Sequence, residues 1–342
     1  MNKRIDIVDA LRGIASLAVC WLHMTQLYPK DNIVHLSGKY GGLGVEMFFV
    51  ISGFIIPFAL YKSDYRVTKD WHTFIKKRII RIDPPYLVAA IMAAILTYLA
   101  AMTPGYRGEE INFSSMQFLL HLGYLNAIFD YKWFNPVFWT LAIEFQYYLL
   151  ISIVFPIISA KTIFRSVGII SLCCFAFIIP SDIFVFKYLC LFSVGIVTFQ
   201  YFAKIIGVRE YLLVLTLTSI LLILSLGIIA AVTGILTALV IAFVRIEKIR
   251  IFHFLGAISY SLYLVHLPIG ARFVNILKRF VTTDFEYLLV SLCGVLVSIV
   301  AAFLVYNYIE KPAQKWSSRI KYRRDNPLTN KKTATPVGTY KK

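Results

Sequence analysis

Ten apolar windows, each close to the ~20 residues an α-helix needs to cross a bilayer, occupy most of this 342-residue chain. They lie at 7–28, 41–61, 83–102, 137–158, 165–181, 184–203, 211–227, 228–244, 255–276 and 287–309. The expected fold is an all-α integral membrane protein, a bundle of about ten transmembrane helices with both termini cytoplasmic. Composition agrees, since 59% apolar and 15% aromatic residues exceed what a soluble domain carries. The first window is too long for a signal-peptide core, contains Arg12 and lacks a small-residue cleavage site, so it is expected to remain in the protein.

A net charge of +17 raises the question of nucleic acid, but the cations fall in alternate loops, which is the pattern of membrane topology. Lys3 and Arg4 precede the first window. Lys62, Arg66, Lys69, Lys76, Lys77, Arg78 and Arg81 fill the second loop, and Lys204, Arg209, Arg245, Lys248 and Arg250 fill later even-numbered ones. Those segments are expected in the cytoplasm, and 29–40, 103–136 and 277–286 outside. Residues 311–342 hold ten Lys or Arg against one acid, Asp325, so they read as a basic, disordered cytoplasmic tail after a single domain at 1–310. That tail orients the chain or attracts anionic headgroups. Cys20, Cys173, Cys174, Cys190 and Cys293 all lie in apolar windows without metal-ligand spacing and read as small buried hydrophobes.

Ionisable residues inside the windows are few, and a charge at the bilayer centre costs roughly 2.5–3.5 kcal/mol on insertion scales. Each is therefore a candidate functional group. Arg12 and His23 are eleven residues apart, about three helical turns plus 20°, so they share one face and are separated by about 16 Å. Asp9 accompanies them, helix two brings Glu46, helix four Glu144 and helix nine His266. With the topology above, His23, Glu46 and Glu144 all fall in the outer half of the bilayer. A histidine beside carboxylates at low dielectric is the arrangement of a tuned general base; a structural polar cluster joining helices is the alternative. On the inner side, Lys76-Lys77-Arg78-Ile79-Ile80-Arg81-Ile82-Asp83-Pro84-Pro85 enters helix three through a proline pair. Arg78 and Arg81, three apart, would present two guanidinium forks on one side, suited to a phosphate. A positive-inside anchor is the plainer reading.

These pieces occur together with others. Asp9-Ala10-Leu11-Arg12-Gly13 is followed by His23, then by Gly44-Val45-Glu46-Met47-Phe48-Phe49-Val50-Ile51-Ser52-Gly53-Phe54 and by Arg78-Ile79-Ile80-Arg81 with Pro84. Phe138-Trp139-Thr140-Leu141-Ala142-Ile143-Glu144-Phe145 and Phe192-Ser193-Val194-Gly195-Ile196 come next. Leu255-Gly256-Ala257-Ile258-Ser259-Tyr260-Ser261-Leu262-Tyr263-Leu264-Val265-His266-Leu267-Pro268 and Glu310-Lys311-Pro312 close the series. Over about residues 5–313 this order resembles the acyltransferase 3 family of polytopic membrane acyltransferases. The resemblance implies transfer of an acyl group, usually acetyl, from cytosolic acyl-coenzyme A to a hydroxyl of a carbohydrate or other acceptor at the outer face. It implies His23 as catalytic base, Arg12 in support of the donor path, and Arg78 and Arg81 on the phosphates of coenzyme A. Glu46 stands where many relatives have Asp. Some relatives append a serine-hydrolase-like extracytoplasmic domain, and this chain is expected to lack one.

The expected mechanism docks coenzyme A from the cytoplasm with its pantetheine arm threading the bundle. His23 then deprotonates the acceptor hydroxyl or assists an intermediate acyl transfer. Glu144 or Glu46 orients it, and Tyr263 or Ser259 donates to a developing oxyanion. Asp9, Trp139 and Tyr260 are supporting candidates. Ser259, Tyr263 and His266 fall at i, i+4 and i+7, one helical face that also suits packing. The partners expected are acyl-CoA (acetyl-CoA), a cell-surface or exported polysaccharide, and the lipid of a bacterial inner membrane. No nucleic acid and no metal are expected, and self-association stays open. His35, His72, His121 and His253 read as incidental. Tyr124, Tyr131 and Trp133 on the outer segment read as sugar contacts or interfacial anchors. A transporter or flippase for an anionic or sugar-containing substrate is the competing function, although no internal repeat supports it.

Overall fold

Backbone groups in hydrocarbon have no water to bond, so apolar spans close their hydrogen bonds internally as helix. The computed structural model describes residues 5–102, 113–160, 163–247 and 249–322, and among them every regular element is helical. The α-helices are α1 Asp6–Thr25, α2 Ile33–Gly38, α3 Gly44–Lys62, α4 Val67–Ala101, α5 Ser115–Leu122, α6 Phe138–Ile158 and α7 Phe164–Ile178. They continue as α8 Leu189–Phe202, α9 Val208–Leu226, α10 Ile228–Phe243, α11 Arg250–Val265, α12 Arg272–Leu277, α13 Asp284–Val305 and α14 Lys311–Arg319. Eight helical segments are long and apolar enough to cross a membrane, and α7 and α10 are shorter apolar helices. Each of the ten windows falls on one of these. Leu213, Leu224 and Leu296 are among many exposed apolar side chains, as expected of faces solvated by lipid.

Two seams hold the bundle. At Gly53 of α3 an added Cβ would sit inside contact distance of Phe192 O, and at Gly195 of α8 inside that of Val50 O. Backbones this close require residues without a side chain. On the other side Gly256 of α11 meets Asp9 O of α1 in the same way, and a Cβ at Gly13 would lie 2.8 Å from Leu255 Cβ. The buried apolar residues form two clusters, one centred on α3 and α8 and the other on α1 and α11, with α6 contributing to both.

Several expectations change. The basic segment at 66–81 is not loop, because α4 begins at Val67 and runs 35 residues through Pro84 and Pro85. At 1.5 Å per residue that is about 52 Å, well beyond a ~30 Å hydrocarbon core. The proline pair removes two backbone donors without ending the helix, and the neighbouring Ile82 carbonyl accepts from Tyr260 Oη at 3.0 Å. The outer segment expected at 103–136 carries α5 and a 3₁₀ turn at Asn126–Phe129, while 103–112 lie outside the described residues. The tail expected from 311 starts as α14, held to α4 by Lys77 Nζ donating to Ser317 O at 3.0 Å and Ser317 Oγ donating to Lys77 O at 2.8 Å. Composition averaged over the whole tail concealed this short docked helix. Residues 323–342, Lys248, Lys3 and Arg4 lie outside the described residues.

The ninth window is interrupted. A π-helical turn at His266–Ala271 joins α11 to α12, and a second at Tyr306–Glu310 joins α13 to α14. Pro268 lacks the N–H that would bond the Leu264 carbonyl one turn earlier. Asn135, buried ahead of α6, supplies the substitute through Nδ2, 3.0 Å from Leu264 O. Asn135→Ala is expected to leave that carbonyl buried and unpaired at a cost of about 1–3 kcal/mol. A thermal unfolding curve of the detergent-solubilised variant checks this, and a midpoint equal to wild type would contradict it.

Candidate functional site

The two arginines of α4 face inward one turn apart, and Arg12 of α1 meets them. All three line one cavity of about 170 Å³ together with Glu144 of α6, Ser259, Tyr260 and Tyr263 of α11, and Glu310 from the second π turn. Its remaining wall is mostly α3, contributing residues from Val45 to Ala59. Fourteen residues of helix amount to about 21 Å, so a small volume is drawn out into a narrow channel. The volume is below the roughly 300–1,000 Å³ of sites that enclose a whole drug-sized ligand. The shape suits an extended chain rather than a ring system.

Charge and hydrogen bonding are unevenly distributed along it. At the arginine end the Arg78 guanidinium carbon lies 5.1 Å from the Phe74 ring centre and 5.3 Å from that of Tyr148. Two flat faces thereby hold the fork in place. Glu310 accepts from Ser261 Oγ at 2.6 Å and from Gln314 Nε2 at 2.8 Å, which fixes its carboxylate among the cations. Midway, Glu144 Oε1 accepts from Ser52 Oγ at 2.7 Å. At the far end Tyr263 Oη and Thr140 Oγ1 are 2.7 Å apart.

Past Tyr263 stand two histidines. The His266 ring centre is 5.7 Å from that of Tyr263 and 5.1 Å from that of His23. His23 thus lies at the other end of α1 from Arg12, the continuous helix preserving their ~16 Å offset. The carboxylates expected beside His23 are not its partners. Glu144 is committed to Ser52, and Glu46 Oε2 is buried without a hydrogen-bond partner among the described residues. The Gln26 amide instead lies 2.6 Å from His23 Nδ1, one turn along the same helix. Shared depth in the bilayer did not imply shared position around the bundle.

Of the remaining candidates, Asp9 is outside the channel with its Oδ2 3.4 Å from His253 Nδ1, so His253 is not incidental to packing. Trp139 packs edge-on to Phe49 at 6.5 Å and does not line the channel. Tyr124 points inward, its hydroxyl donating to Asp83 at 2.9 Å, and is unavailable to a sugar. His121 is also more than incidental: its Nδ1 is 2.8 Å from Gln117 O and its Nε2 accepts from Phe134 N–H at 3.2 Å. Burial holds this imidazole below its ordinary range, so it stays neutral while locking the outer segment. Sequence reasoning assigned no role to Ser52, Thr140, Ser261 or Gln26. Glu310 carried a readable signal, an acid at the end of the last apolar window.

A family model described as acyltransferase domain, of the acyltransferase 3 group, matches residues 5–307. The chain is 34% identical over 93 residues to "Protein 2 in picA locus" of Rhizobium radiobacter, covering 27% of this chain and 46% of that protein. It is 29% identical over 179 residues to O-acetyltransferase OatA of Staphylococcus aureus, covering 48% of this chain and 28% of OatA. It therefore spans less than half the length of these curated relatives. No solved structure matches it.

Proposed function

The chain belongs to the acyltransferase 3 family, and from that premise we propose that this membrane acyltransferase moves an acetyl group from acyl-coenzyme A to a hydroxyl of a cell-surface or exported glycan. The observation that carries the proposal is the channel. Three guanidiniums mark one end of an about 21 Å passage, and the His23–His266 pair stands beyond the other. Arg78, Arg81 and Arg12 would hold the donor phosphates, and the narrow gauge would admit only the pantetheine arm. The thioester then arrives near Tyr263 and the histidines. The arginine end would face the cytoplasm, where acyl-coenzyme A is made, and the histidine end the outer surface of a bacterial inner membrane. The alternating cations of the loops support that orientation.

The thioester itself would supply the activation of the acyl group. His23 would bear directly on the reacting atoms, and Tyr263 and Thr140 would line the approach of the acyl group. Glu310 and Glu144 would moderate the repulsion among three arginines when no donor is bound.

Release of free thiol from acetyl-coenzyme A by the purified chain in nanodiscs tests this reading. Wild type is expected to release thiol, slowly with water as acceptor and faster with cell-envelope extract, and His23→Ala is expected to lose both. Absence of thiol release by wild type under every acceptor condition would remove the acyltransferase proposal.

A further inference from the structure

His266 is fully buried, and its Nδ1 lies 3.1 Å from the Leu262 carbonyl. A carbonyl only accepts, so Nδ1 carries the ring proton and Nε2 keeps a lone pair. That Nε2 is buried and has no hydrogen-bond partner among the described residues. An acceptor buried without a donor is unfavourable, and a second imidazole, that of His23, has its ring centre 5.1 Å from this one.

His23 is the complement. The Gln26 amide nitrogen, 2.6 Å from His23 Nδ1, only donates, so Nδ1 accepts and the His23 proton rests on Nε2. Two rings 5.1 Å apart and tilted by 32° thus offer one lone pair and one N–H. The π turn at His266–Ala271 carries the first ring, 5.7 Å between centres from Tyr263 of the channel wall, with Asn135 replacing the hydrogen bond that Pro268 removes. Acyl transfer from a thioester requires both functions, a group to take the hydroxyl proton and a donor to the oxygen on which charge develops.

We propose that His266, not His23, is the general base of this site, and that His23 is the electrophilic partner. The acceptor oxygen bonds to the acyl carbon as its proton passes to His266 Nε2, while His23 Nε2–H donates to the thioester oxygen. The tetrahedral intermediate collapses with cleavage of the carbon–sulfur bond, and the proton on His266 moves to the departing thiolate. Ester and free thiol leave, and both rings regain their starting tautomers. The assignment rests on the acyltransferase reading above.

Glutamine separates the roles, because its terminal amide can donate or accept a hydrogen bond but cannot take a proton at neutral pH. With acetyl-coenzyme A as donor and water as acceptor, His266→Gln is expected to lower kcat by roughly 10²–10⁴-fold with KM for acetyl-coenzyme A nearly unchanged. His23→Gln, which can still present an N–H, is expected to retain a measurable fraction of kcat. The reverse result, an active His266→Gln and an inactive His23→Gln, overturns the proposal. A spectrum of ¹⁵N-histidine-labelled wild type in nanodiscs reads the tautomers without any variant. His266 is expected in the Nδ1–H form and His23 in the Nε2–H form, and the opposite pair of forms overturns the assignment even if a variant misfolds. Absence of thiol release by wild type would instead strike the acyltransferase reading, whatever the tautomers.

Discussion

Leucine in place of Gly195 is expected to abolish the folded protein. An added Cβ at this position would lie inside contact distance of Val50 O and 2.8 Å from Gly53 Cα, both on α3. Neither neighbour is a flexible side-chain end that could swing away. The α3–α8 seam must therefore open, and it packs Phe192, Phe54 and Ile51 in the larger apolar cluster. Overpacking typically costs about 1–3 kcal/mol and more when backbones are forced apart; a loss on the order of 4–5 kcal/mol is a large share of a total of about 5–15 kcal/mol. The measurement is the monodisperse yield in detergent and the unfolding midpoint, with Gly207→Ala alongside. Gly207 has nothing within 4 Å of an added Cβ, so that variant should match wild type. A Gly195→Leu protein with a wild-type midpoint would show that the seam is not as tight as described.

On the proposed function, loss of Arg78 is the second large effect, expressed in donor affinity. Its guanidinium lies between Phe74 and Tyr148 and lines the channel beside Arg81 and Arg12. A charge-assisted hydrogen bond is worth about 1.5–3 kcal/mol, so Arg78→Ala should raise KM for acetyl-coenzyme A roughly 10–100-fold. Arg78→Lys keeps the charge but not the planar fork or the stacking, and should fall between the two. The change should be confined to KM, since this side chain is remote from the histidines. An Arg78→Ala enzyme with unchanged KM and reduced kcat would place the donor phosphates elsewhere.

The helices were legible because hydrophobic length alone specifies a span. Ten windows correspond to ten helical segments, and most ends agree to within a few residues, the exceptions being α4, which extends into the basic region, the start of α8, the ninth window, which a π turn interrupts, and the last, which continues into α14. That extension was hidden by a rule about single residues: a proline pair predicts a stop, yet here the helix continues and Tyr260 bonds a carbonyl beside it. At the site, spacing along one helix transferred well. Arg78 and Arg81 on α4, and Ser259 and Tyr263 on α11, line one cavity as periodicity requires, while of the α1 pair Arg12 lines it and His23 does not. Pairing between helices did not transfer, since periodicity gives depth but not azimuth around a bundle. Glu144 therefore proved to bond Ser52 rather than His23, and His266 proved to be the ring beside His23. The glycines of the quoted motifs, Gly13, Gly53, Gly195 and Gly256, mark backbone approaches, a reason for their presence that only the assembled seams reveal.

A passage drawn out over about 21 Å, set in a bundle whose helices are long enough to cross a ~30 Å hydrocarbon layer, must not become an open pore in a membrane that holds an ion gradient. The residues that line it carry three guanidiniums against the carboxylates of Glu144 and Glu310, so the fixed charge repels hydronium and metal cations as arginine constrictions do in selective pores. Its gauge leaves little space for a hydrated ion. On the proposed function, a polyanionic donor seated on the arginines would close their end of the passage during turnover, so the group that supplies the acyl chain would also serve as the seal.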